Sequence, residues 1–174
     1  MEVFFMSEKK MSRTHRLVLM AMLTAVQIVL SRFLSINLWN LKIGFSFVPI
    51  ALAGMLLGPV SAGLTGVVAD LIGATLFPSG AFFPGFTLTA FITAFGYGFF
   101  LHKKQDMPHI LAAVLFSEII GTLLLNTKWL SILYGTPFMP IFITRVGQAV
   151  GMGIVEVIVI KILAKYMPQM KKAI

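Results

Sequence analysis

The chain contains no cysteine. That excludes disulfides, thiolate metal sites and cysteine nucleophiles, and it leaves the redox compartment open. Charge is scarce as well. Only 11% of the residues are Asp, Glu, Lys or Arg, against about 25% in a soluble domain, so a water-facing surface is hard to build. Several motifs are missing. No G-x-x-x-x-G-K-[ST] loop is present, so the chain has no visible means of using ATP. No H-x-x-x-H or H-E-x-x-H pattern offers metal ligands, and the three histidines (His15, His102 and His109) fall at helix ends. No nucleophile elbow occurs. The chain is therefore expected not to be an enzyme, with no catalytic residue, metal or cofactor.

What the chain has in abundance is apolar length. Hydrophobic residues make up 58% of it, and they fall in long blocks. Lipid is the solvent that accepts such a surface. The blocks run from Leu17 to Leu30, continuing less cleanly to Trp39, and then over Phe45–Leu57, Val60–Leu76, Phe86–Leu101, Pro108–Leu125 and Ile141–Ala164. Gly58-Pro59, the Phe77-to-Gly80 segment, Pro84-Gly85 and a long mixed loop from Asn126 to Pro140 separate them. Residues 1–16 are polar and basic. A signal peptide is disfavoured there, because no small-residue cleavage site follows and equally apolar blocks keep recurring. There is no internal repeat and no low-complexity linker. These features predict a single domain over residues 1–174, an all-α membrane protein built as a bundle of six transmembrane helices. Several blocks fall short of the ~20 residues of a full span, and irregular backbone at membrane depth is tolerated only around protein or a watery cavity.

The net charge is +8. With the N-terminus inside and six crossings, Lys9, Lys10, Arg13, Arg16, Lys103, Lys104, Lys161, Lys165, Lys171 and Lys172 lie at the inner face. Only Arg32, Lys42, Lys128 and Arg145 lie at the outer one. This imbalance matches the positive-inside tendency and places both termini, with the basic 1–16 segment, in the cytoplasm.

The four outer cations are the first candidates for function. Lys42 and Lys128 have a simple alternative in snorkelling to lipid phosphates. Arg32 and Arg145 sit deeper in apolar sequence, where a cation needs a partner or water, and a guanidinium grips a carboxylate through two parallel hydrogen bonds. Aromatic loops are the second feature. Phe77, Phe82, Phe83 and Phe86 cluster around Pro84-Gly85, and Trp39, Trp129 and Tyr134 mark other outer ends. They form either an interfacial belt or a wall for a flat ring. Buried polar groups are the third: Asp70, Glu118 and Glu156 inside apolar blocks, with Asn126 and Gln148 near the outer side. They serve structural hydrogen bonding or pairing, or a ligand or proton path. Small residues four apart are the fourth, at Ala21/Ala25, Gly54/Gly58 and Ala62/Gly66. Such pairs let another helix approach, from within the fold or from a partner.

The stretch LLGPVSAGLTGVVADLIG at Leu56–Gly73, the Ala-x-x-x-Ala first helix and the basic N-terminus resemble the substrate-binding S components of energy-coupling factor (ECF) vitamin transporters. FPSGAFFPGFTLTAF at Phe77–Phe91 and NTKWLSILYGTPF at Asn126–Phe138, followed by Arg145, narrow the likeness to the folate-specific S components. The resemblance implies a binding subunit of an ABC-type importer in a bacterial plasma membrane. It implies an outward-facing pocket roofed by loops, docking through Ala21 and Ala25 on a transmembrane T component carrying two ATPases, and delivery by toppling in the membrane. The substrate-binding set expected on this reading is Arg32, Phe82, Phe83, Thr87, Asn126, Lys128, Trp129, Tyr134, Arg145 and Gln148. Alternatives are the same mechanism with riboflavin or thiamine, or a stand-alone proton-coupled transporter using Glu118 and Glu156.

Overall fold

A computed structural model describes residues 12–38, 41–78 and 80–173. Lys9, Lys10 and Trp39, assigned above to the inner face and an outer end, lie outside these residues. Helix α1 (Arg13–Arg32) starts where the Ser12 hydroxyl accepts a hydrogen bond from the His15 amide at 3.2 Å, an N-cap that satisfies an orphan donor. The expected continuation toward Trp39 does not form. The chain turns instead into an antiparallel hairpin, β1 (Ser35–Asn37) with β2 (Lys42–Gly44), in which Ser35 opposes Gly44. A Cβ on Gly44 would lie 2.6 Å from that of Ser35, so only glycine admits this approach. Among the described residues the fold is thus all-α apart from one short hairpin.

Helix α2 (Phe47–Leu57) is followed at once by α3 (Pro59–Leu76). Gly58 adopts φ +84° between them, a left-handed conformation other residues resist, and Pro59 suits the first turn of α3. Helix α4 (Pro84–Leu101) also opens on proline. Next comes one continuous rod from Met107 to Tyr134. It comprises α5 (Met107–Phe116), a π-helical stretch (Ser117–Asn126) and α6 (Thr127–Tyr134). The loop expected from Asn126 is therefore helical as far as Tyr134. It is held there by burial of Thr127 and Leu130 and ended by Gly135 in a left-handed conformation at φ +62°. Helix α7 (Phe138–Ala173) closes the chain. Its 36 residues reach roughly 54 Å at 1.5 Å per residue, well beyond a bilayer core of about 30 Å.

Counting the rod once gives six helices among the described residues, five of them long and apolar enough to cross a membrane. Helix α2 is the short one, at 11 residues. Contacts tie the two ends of the bundle. At one end Arg16 bonds Ser61 and the Leu57 carbonyl, and the His102 ring lies 3.3 Å from the Met55 carbonyl. At the other, the Trp129 ring covers Gly85, and Gln148 donates to the Lys42 carbonyl. Helix α4 runs at the centre against α2, α3 and the rod. A Cβ on Gly54 would lie 2.7 Å from the Gly98 nitrogen, and one on Gly66 would lie 2.8 Å from the Ala90 carbonyl oxygen. Close backbone packing of this kind drives helix association where no hydrophobic effect operates. Gly54 and Gly66 therefore serve the fold, whereas Ala21 and Ala25 are exposed on α1. The outer faces of α1 and α7 carry large exposed apolar side chains, Leu17, Met22, Val26, Ile143, Val150 and Ile158 among them, as a lipid-facing surface requires.

Candidate functional site

A cavity of about 430 Å³ lies inside the bundle, within the usual range for small-molecule sites. It reaches from the hairpin and the loop before α4 down to Tyr97 and Glu156. Each wall follows from helical spacing. Thr89, Thr93 and Tyr97 face it from α4 at intervals of four residues, which marks one side of a helix and a depth of about 12 Å. Gln27 and Ser31 face it from α1, and Arg145, Gln148, Met152 and Glu156 from α7. The π-helical stretch supplies Ser117, Glu118, Gly121, Thr122 and Asn126. Local π-helix inside an α-helix is frequent at functional sites.

The mouth is cationic. Arg32 and Lys42 lie there with Asp70, whose carboxylate is 3.6 Å from Arg32 Nη2 and accepts from the Thr87 hydroxyl at 2.7 Å. Gly73 leaves room for the arginine, since a Cβ there would sit 2.7 Å from Arg32 Nε. Lys42, in β2 outside the spans, has its pKa lowered to about 8 by burial and then by the Arg32 charge, with Asp70 acting the other way.

One side of the pocket is aromatic. Phe82, Phe83 and Phe86 line it from the start of α4, and Tyr134 lines it from the end of the rod. Behind them, Phe83 packs on Trp129 with ring centroids 5.6 Å apart. The Trp129 indole donates to the Thr89 hydroxyl at 3.0 Å, and Lys128 Nζ lies 5.8 Å from the indole centroid. Phe77 belongs elsewhere, edge-on to Phe33 at 5.3 Å.

The floor carries carboxyls. Tyr97 donates to Glu156 at 2.7 Å, Glu118 stands beside Glu156, and Arg145 is near enough to act on Glu118 electrostatically. Among the described residues no group of three His, Asp or Glu could hold a metal ion.

Of the residues singled out from sequence, Arg32, Phe82, Phe83, Asn126, Tyr134, Arg145 and Gln148 come together on the cavity wall. Thr87, Lys128 and Trp129 stand one layer back, supporting Asp70 and Phe83. Asp70 both lines the cavity and ties helices. Gln27, Ser31, Thr89, Thr93 and Tyr97 were not singled out. Their signal is polar residues recurring at three or four positions within apolar helices.

These features define a class: a multi-pass membrane protein that encloses a solute-sized polar pocket. The chain belongs to the substrate-specific components of ECF transporters, whose family model, "ECF transporter, substrate-specific component", matches residues 15–164. It is a transporter component of the cell membrane rather than an enzyme. It is similar to "Folate transporter FolT" of Clostridium novyi (strain NT), with 41% identity over 151 residues, covering 86% of this chain and 88% of that one. It is also similar to "Folate transporter FolT" of Leuconostoc mesenteroides subsp. mesenteroides, with 39% identity over 125 residues, covering 71% and 67%. Among solved structures it is similar to the "Crystal structure of FolT bound with folic acid", with a TM-score of 0.78, 36% identity and coverage of 83% and 88%.

Proposed function

We propose that this chain captures folate at the outer face of the membrane and hands it inward as the substrate-binding component of an ECF importer. The observation that carries the reading is the order of surfaces in the cavity: cations at the mouth, aromatic rings along one side, polar groups below. Folate has the matching order, with a carboxylate-bearing glutamate tail, an aromatic linker and a flat pterin. The names of the relatives, and the folic acid in the related crystal structure, support the same ligand. On this reading Arg32 meets the tail, with Lys42 beside it. Phe82, Phe83 and Tyr134 flank the rings. Asn126, Arg145 and Gln148 supply polar contacts, while Thr87, Lys128 and Trp129 hold the wall in shape.

Both termini face the cytoplasm, and the 1–174 domain works without ATPase machinery of its own. A transmembrane T component with two ATPase subunits supplies the energy. Ala21 and Ala25, exposed on α1, offer that partner a flat face, and toppling of the whole bundle turns the pocket inward.

The test is ligand titration of the purified protein in detergent, followed through tryptophan fluorescence. Folate is expected to quench and saturate, while riboflavin and thiamine leave the signal unchanged. Binding of riboflavin or thiamine without binding of folate would reject the ligand assignment.

A further inference from the structure

The hairpin beside the mouth of the cavity has two unlike faces. In its register Ile36 stands opposite Ile43, and the pairs on either side are Ser35 with Gly44 and Asn37 with Lys42. Successive residues of a strand point to opposite faces, so the isoleucine pair lies on one face and Lys42 and Gly44 on the other. Lys42 and Gly44 line the cavity. Ile36 and Ile43 do not, and they are 63% and 44% exposed. Hydrogen bonds to the bundle leave this pair untouched: the Ser35 hydroxyl donates to the Ser31 carbonyl at 2.6 Å, and Gln148 donates to the Lys42 carbonyl. A two-stranded hairpin is marginal by itself in water, and an exposed apolar face gains by leaving water.

What covers that face follows from the surface it continues. Val26, Val29 and Phe33 fall on one side of α1 and its C-cap, the lipid-facing side, and all three are exposed. Leu34 and Ile36 carry the same exposed apolar surface onto the hairpin. Depth agrees. The 20 residues of α1 span roughly 30 Å, the thickness of a hydrocarbon core, and β1 begins at Ser35, just past its end. The hairpin thus starts at the hydrocarbon boundary, and its short strands reach only about 10 Å further. Deeper insertion is excluded, because a two-stranded sheet has open edges on both sides and open edges do not occur in hydrocarbon.

We infer that Ile36 and Ile43 form a lipid-anchoring face. The hairpin lies in the outer headgroup region, with this pair against the acyl chains and Lys42 turned to the cavity. One wall of the mouth is therefore held by protein on its inner side and by the bilayer on its outer side.

The chain has no cysteine of its own, so single nitroxide labels test this. Ile36→Cys and Ile43→Cys are labelled in nanodiscs of phosphatidylcholine and phosphatidylglycerol, with a single copy in each disc. Val150→Cys on α7 serves as the lipid reference, and Lys104→Cys in the connector before α5 as the water reference. Collisions with oxygen and with a water-soluble nickel chelate are read by EPR power saturation. Both hairpin labels are expected to favour oxygen and to lie about 5–10 Å below the headgroups, the depth of an interfacial apolar face. Labels as open to the nickel chelate as that at Lys104 would overturn the inference. So would labels sheltered from both colliders, which would mean that protein covers the face. The unmodified protein gives an independent reading. Photolysis in discs containing a phosphatidylcholine with a diazirine high on its acyl chain is expected to attach lipid within residues 33–45 as well as within α7. Attachment to α7 alone would overturn the inference even if a labelled variant fails to fold.

Discussion

Arg32 Nη2 lies 3.6 Å from Asp70 Oδ1, and the other oxygen of that carboxylate accepts from Thr87. One acidic side chain thus links α1, α3 and α4 at the mouth of the pocket. The pair is mostly sheltered, at 12% and 22% side-chain exposure, so screening by water removes only part of the attraction. Removing the carboxylate leaves a guanidinium and a hydroxyl to find new partners. Asp70→Ala is expected to lower stability in detergent by about 1–3 kcal/mol, read as a fall in thermal unfolding midpoint, and Thr87→Val by less. An unchanged midpoint in Asp70→Ala would mean that the pair contributes nothing to the fold.

Trp129 supports the aromatic side from behind. Its indole donates to Thr89, and a Cβ on Gly85 would come within 2.5 Å of the indole ring. Gly85 is therefore a packing glycine whose hydrogen makes room for the indole. Gly85→Ala is expected to displace Trp129 and, through it, Phe83, shifting the tryptophan emission and weakening folate binding about tenfold, the order of 1.4 kcal/mol. Thr89→Val removes the acceptor of the indole, and with it the hydroxyl's bond to the Gly85 carbonyl, without adding bulk, and should shift the emission with a smaller loss. Emission identical to wild type in both variants would place Trp129 elsewhere.

Apolar block lengths and proline-glycine punctuation made six helices legible in the sequence, since both report directly on lipid and on broken backbone. They did not reveal the rod. Thr127 to Tyr134 reads as a loop because Lys128, Trp129 and Gly135 look like boundary residues, and burial of Thr127 and Leu130 depends on neighbours far along the chain. The hairpin was equally hidden, because Ser35 and Gly44 pair across a turn that no local periodicity marks. Charges inside apolar blocks stand out in a sequence, so Arg32, Asp70, Glu118, Arg145 and Glu156 were singled out, and all five line the cavity. Thr89, Thr93 and Tyr97 on α4 did not stand out, since hydroxyls are cheap in a helix that can bond them to its own carbonyls, as Thr93 does to Thr89.

Ala21 and Ala25 are exposed on α1 and are not among the residues that line the cavity. Large apolar neighbours, Val18, Met22 and Val29, flank them. Small residues at this spacing let a partner helix approach closely, and bulk would keep it away. Ala21→Leu with Ala25→Leu is expected to abolish folate uptake by cells carrying the complete importer, while the isolated protein keeps its folate affinity within about twofold. A parallel fall in affinity would show that α1 holds the pocket rather than the partner.

Lys42 gives the site a pH dependence whose sign can be worked out. It stands at the mouth in contact with solvent, yet burial first and the Arg32 charge second lower its pKa from 10.5 to about 8. Below pH 8 it is charged and attracts a carboxylate tail. As the pH rises through about 8 it becomes neutral, and that attraction is lost. The tail carboxylates of folate stay ionised over this range while its weakly acidic pterin N–H titrates in it, so affinity is expected to fall between pH 7 and 9, and the part due to Lys42 is the part that a Lys42 variant lacks. The free protein should respond in the opposite sense. Between about 8 and 10.5 the unfolded chain holds a proton on Lys42 that the folded chain has released, so folding becomes more favourable as the pH rises. Lys42→Met removes both effects. It is expected to bind folate more weakly at pH 7, to lose less affinity than the wild type from pH 7 to 9, and to converge on the wild type at the alkaline end. Affinities measured by titration at three pH values decide the matter: a wild-type profile parallel to that of Lys42→Met would remove Lys42 from the binding of the tail and leave that role to Arg32.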